Sequence, residues 1–97
     1  MATFITLAKF TDQGILAVKD TVQRADNVRG AIERRGGRVL SFHWTVGEYD
    51  IVMVAEAPDV QAYTAILLAV GSLGNVRTST LQAFDAPEMQ EILNQMG

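Results

Sequence analysis

Cysteine is absent from the 97-residue chain, and histidine occurs once, as His43. The first absence excludes disulfides and thiolate metal sites. The second leaves any metal site mostly to carboxylates, and neither a metal nor another cofactor is expected. No long hydrophobic run is present. The longest, Ala65 to Val70, falls far short of the roughly 20 residues that cross a bilayer, and no membrane is expected as a partner. The opening Met1-Ala2-Thr3-Phe4 has no basic stretch followed by an apolar one, so no secretory signal is read and a cytoplasmic location is expected. Positive charge is not in excess either. A net charge of −3 argues against nucleic acid as a partner, because neutralising phosphates requires a basic face. Arg24, Arg29, Arg34, Arg35 and Arg38 do crowd one region, but Asp26 and Glu33 are interleaved with them, the pattern of a solvated helix face.

What the chain has is apolar surface. Hydrophobic residues make up 48% of it and charged residues 20%, and the mean hydropathy is positive. A domain this short leaves much of its surface uncovered unless it gains a staple or a partner. With cysteine excluded, the expected partner is the chain itself, as a homodimer or a larger assembly.

No linker, repeat or low-complexity tract divides the sequence, so residues 1–97 form one domain with a core over 3–84 and a C-terminal helix over 86–96. Residues 3–10, rich in Thr, Ile and Phe, predict a strand. Thr11-Asp12 then caps a short helical turn over 12–19, made irregular by Gly14. A helix over about 22–35 carries Ala25, Val28, Ala31 and Ile32 at helical spacing and stops at Gly36-Gly37. Strands follow at 38–46 and 49–56, joined through Gly47-Glu48 as an antiparallel hairpin. Pro58-Asp59 starts a helix reaching about Leu73, closed by Gly74-Asn75. Residues 76–84 predict a fourth strand. Asp85 and Glu88 then stand at capping-box spacing before Met89, Ile92, Leu93 and Met96, an amphipathic stripe.

The order β-α-β-β-α-β plus a terminal helix predicts an α+β, ferredoxin-like fold, with a four-stranded antiparallel sheet and its helices on one face. The other face would then be bare. Alternation puts Tyr49, Ile51, Met53 and Ala55 on one side of the third strand and Asp50, Val52, Val54 and Glu56 on the other. In the second strand Leu40, Phe42, Trp44 and Val46 oppose Val39, Ser41, His43 and Thr45. Neither set is polar enough for a solvated face. The helix near residues 60–70 also exceeds one stripe, through Tyr63, Ile66, Leu67, Leu68 and Val70. Leaving such side chains in water forfeits about 1.5–3 kcal/mol each.

The string Trp44-Thr45-Val46-Gly47-Glu48-Tyr49-Asp50, followed by Ile51-Val52-Met53-Val54, resembles the Gly-x-Tyr-Asp signature of the GYD domain family. Asp12-Gln13-Gly14-Ile15, Glu56-Ala57-Pro58-Asp59 and Gly71-Ser72-Leu73-Gly74-Asn75-Val76-Arg77-Thr78 extend the similarity over about residues 3–84. The resemblance implies a dimeric α+β barrel, two sheets packed face to face across a symmetric interface, and implies no particular activity. One departure is Val22-Gln23 before Arg24-Ala25, where members often carry Pro-Glu. That loosens the helix start.

Two functional expectations result. In the first, the assembly binds a small hydrophobic molecule in a sheet-lined cleft, through Ser41, His43, Trp44 and Tyr49. In the second, it is a cofactor-independent enzyme of the dimeric α+β barrel type, in which His43 moves protons and Tyr49 or Asp50 orients a small hydrophobic compound. Each residue also has a structural reading. Turn chemistry accounts for Gly47 and Asp50 equally well. Trp44 suits a core or interface anchor, Lys9 a snorkelling side chain, and a lone histidine is no catalytic constellation.

Overall fold

The computed structural model describes residues 1–97. Its elements run β1 (Ala2–Phe10), α1 (Asp12–Leu16), a single 3-10 turn (Val18–Asp20), α2 (Thr21–Arg34), β2 (Arg38–Trp44), β3 (Ile51–Ala57), α3 (Val60–Ser72), β4 (Val76–Ala83) and α4 (Ala86–Asn94). The strands form one antiparallel sheet in the order β2-β3-β1-β4. This is the expected ferredoxin-like arrangement, with a C-terminal helix added.

Alternation along β1 decides which face is covered. Phe4, Thr6 and Ala8 are buried beneath α2 and α3, as are Met53, Ala55 and Ala57 from β3. Ile32 of α2 and the pair Tyr63 and Ile66 of α3 close that core from above. The rings of Phe4 and Tyr63 stack with centroids 4.4 Å apart. Few other residues are enclosed, since 11 of 97 are buried in all. α4 has a complete capping box between Asp85 and Glu88, yet none of its residues is buried and its Met89, Ile92, Leu93 and Met96 stripe is exposed.

The hydroxyls beneath α3 satisfy one another. The Tyr63 hydroxyl lies 2.6 Å from Thr6 Oγ1, which is 2.9 Å from Thr80 Oγ1. Burial raises the Tyr63 pKa above the ordinary 10.0, against a smaller lowering by the Thr6 hydrogen bond. The sign for stability follows from proton binding. Above pH 10.0 the unfolded chain releases the phenolic proton while the buried phenol keeps it, so stability is full below that value and falls above it. Tyr63→Phe should cost about 1 kcal/mol near neutrality and remove this part of the alkaline loss. Urea unfolding at about pH 9 and about pH 11 measures both effects, and an equal alkaline loss in the variant would assign it to other groups.

The turn after β1 is short and irregular, as expected: five residues of α-helix followed by a 3-10 turn. Two sequence expectations need correction. The hairpin loop is longer than Gly47-Glu48. It runs from Thr45 to Asp50, closed by Thr45 N–H donating to the Asp50 carbonyl at 2.8 Å, so Tyr49 stands outside β3. Finally, a bulge interrupts β2 between Val39 and Ser41. The extra residue, Leu40, puts Val39 opposite Ala55 and Phe42 opposite Met53, so both pack on the helix-covered core. Val39 therefore does not share a face with Ser41 and His43.

Candidate functional site

Neither α2 nor α3 lies over the second sheet face. In register, Ile5 faces Val54 on one side and Leu81 on the other, while Leu7 faces Val52 and Ser79. Ile5, Leu7, Val52, Val54 and Leu81 make a continuous apolar field over β3, β1 and β4. Leu81 and the following Phe84 are 54% and 52% exposed. Ser41 pairs with Val54 and His43 with Val52, which puts both at the β2 margin of this open face.

The other expected site residues go elsewhere. Trp44 lies on the helix side, opposite Ile51, and its indole N–H donates to Thr21 Oγ1 at the start of α2 at 3.0 Å. Tyr49 sits in the hairpin loop, its carbonyl accepting from Thr45 Oγ1 at 2.6 Å and its ring 5.2 Å below the Lys9 ammonium. Lys9 also pairs with Glu48. Asp50 accepts from the Phe10 backbone N–H through Oδ2 at 2.8 Å, while its own N–H donates to the Ala8 carbonyl. The Gly-x-Tyr-Asp string thus ties the β2–β3 loop to the end of β1.

A second tie joins two other stretches singled out in the sequence. The Thr11 N–H donates to the Asn75 carbonyl, the Thr11 hydroxyl to the Gly74 carbonyl, and Gln13 Nε2 to the Leu73 carbonyl. The contact leaves no room at Gly14, where a Cβ would lie 1.9 Å from the Asn75 carbonyl oxygen. The segments at 12–15 and 71–78 are therefore two halves of one clasp.

The largest concavity is not on the open face. It lies between α2 and α3, above the sheet, with a volume of about 580 Å³. Small side chains create it, since Ala25 and Ala31 of α2, Ala69 of α3 and Ala8 of β1 all face the gap. Ser41, His43, Trp44 and Tyr49 do not line it. Its charged lining consists of Arg24, Arg34 and Arg35 alone. Arg24 is not part of a fully solvated helix face. Its Nη2 is enclosed and has no hydrogen-bond partner in the protein. Sequence reasoning had no means of finding this cleft, because its walls are separate elements whose spacing is set by packing. The alanines of α2 were visible, but they read equally well as core.

The GYD domain model matches residues 4–93. A Thermus thermophilus protein named glutamine synthetase and cystathionine beta-lyase binding protein is 34% identical over 90 residues, covering 92% of this chain and 95% of its own. The crystal structure of a Thermus thermophilus protein is similar with a TM-score of 0.56 at 26% identity, over 89% of this chain and 96% of that one. A feast or famine regulatory protein from M. tuberculosis, crystallised with L-methionine, superposes with a TM-score of 0.64 over 89% of this chain and 52% of its own. At 16% identity that likeness is one of fold.

Proposed function

The chain belongs to the GYD domain family, and from that premise we propose that it is a homo-oligomeric binding protein whose copies pack open sheet face on open sheet face. The observation that carries this reading is the apolar field of Ile5, Leu7, Val52, Val54 and Leu81, which no helix of the chain covers. Ile5, Leu7, Val52 and Val54 are already half-buried within the sheet, so covering each is worth a fraction of the roughly 1.5–3 kcal/mol of full burial, and a second copy offers a matching surface by symmetry. Ser41 and His43 then face the seam between the sheets, where a small hydrophobic molecule would meet them. The relative named as binding glutamine synthetase and cystathionine beta-lyase supports a binding role, and enzymes of that kind are the partners to test first.

Native mass spectrometry at micromolar concentration tests the assembly. The wild type should appear as a dimer or larger. Leu81→Lys, which sets a charge at the β4 margin of the field, should shift it to monomer, whereas Gln61→Lys, at an exposed position of α3, should not. A monomeric wild type would sink the reading.

A further inference from the structure

We propose that the cleft between α2 and α3 is a binding site for a small monocarboxylate with an apolar body, its carboxylate held by Arg24. The cleft lies on the opposite face of the sheet from the surface assigned to self-association, so the proposal stands independently of that reading.

Three observations converge. The first is shape: about 580 Å³ falls inside the roughly 300–1,000 Å³ of ordinary small-molecule sites. The walls are chiefly apolar, including Val28, Ile66, Leu67 and Val70. The second is the orphaned guanidinium. A buried donor without a partner is costly and rare in folded proteins, and Arg24 Nη2 is such a donor. The ion pairs of the fold, Lys9 with Glu48 and Arg38 with Glu56, do not involve it. The third is sign. The protein carries a net charge of −3, yet every charged residue lining the cleft is an arginine. Positive lining in an acidic protein favours an anion, and a planar guanidinium matches a carboxylate through parallel N–H donors. The chiefly apolar walls favour a ligand whose body is largely hydrocarbon.

Decanoate and its neutral counterpart decanol are the probes, titrated by calorimetry and followed by native mass spectrometry. Wild-type protein should bind decanoate more tightly than decanol. Arg24→Met, which keeps the apolar stem and removes the charge, should weaken decanoate by about tenfold or more and leave decanol unchanged. Ala69→Phe, which fills the cleft from the exposed C-terminal half of α3, should weaken both while keeping the wild-type circular dichroism and melting profile. Decanoate binding unchanged in Arg24→Met overturns the proposal, as does equal affinity for the two probes in the wild type. If decanoate does not bind and Ala69→Phe instead lowers the mass of the assembly, the cleft holds the apolar helix of a second copy, and the proposal also falls. The native spectra report assembly mass and bound acid separately, so failure here is distinguishable from failure of self-association.

Discussion

Gly14→Ala is expected to destabilise the protein by about 1–3 kcal/mol, the range of strained overpacking. Local preference argues the other way, because alanine gains about 1 kcal/mol over glycine inside a helix. The contact decides the sign. The added Cβ would sit 1.9 Å from the Asn75 carbonyl oxygen, and that oxygen cannot move freely because it accepts the Thr11 N–H at 3.1 Å. Relieving the clash means opening the clasp, which also exposes the Thr11 and Gln13 hydrogen bonds to residues 73–75. Gly71 of α3 provides the opposite case. A Cβ there meets nothing within 4 Å, so Gly71→Ala should leave stability unchanged or raise it by up to about 1 kcal/mol. Urea unfolding of both variants at one protein concentration measures the difference. A Gly14→Ala protein as stable as Gly71→Ala would mean that the two segments are not clasped as described.

Ile32→Ala should have a large effect among core truncations. Ile32 is 0% exposed and belongs to the core cluster with Phe4, Met53, Ala55, Ala57, Tyr63 and Ile66. Deleting its branched side chain costs about 2–5 kcal/mol through lost burial and the cavity left behind. Domains of this kind hold only about 5–15 kcal/mol in total. With 11 residues buried in all, little remains to absorb the loss, and a much lower melting temperature or outright unfolding is expected. Leu16→Ala is the matched control. Leu16 is 88% exposed, so the change should stay within about 0.5 kcal/mol. Comparable losses in the two variants would refute the assignment of Ile32 to the core.

Much of the fold was legible in the sequence because it rests on local signals. Asp59 caps α3 through the Ala62 N–H, and Asp85 with Glu88 caps α4, both as their spacing implied. Gly36 adopts a φ of 83° just beyond α2, a backbone state that glycine enters without strain. The alternation in β3 is also the one its sequence implies, with Met53 and Ala55 inside and Val52 and Val54 on the open face. What escaped was set by partners distant in sequence. Nothing around Leu40 announces a bulge, since its cause is the register that Val39 and Phe42 must keep against β3. The length of the 45–50 loop depends on Asp50, whose side chain reaches Phe10 of β1. The position of Arg24 depends on where α3 settles. Helical periodicity tells which side of α2 Arg24 occupies but not how wide the gap beneath it is.

The placement of β1 between β3 and β4 has a consequence for the chain as it is made. β1 leaves the ribosome before either strand that completes it, and both its edges stay unpaired in the meantime. Its first partner ends at Ala57 and its second at Ala83. Only β2 and β3 can pair across a short loop, and loop-closure entropy favours the nearer pairing. Phe4, Ile5 and Leu7 therefore wait for a strand on at least one side until β4 has emerged, and β1 is the later of the two inner strands to have both neighbours.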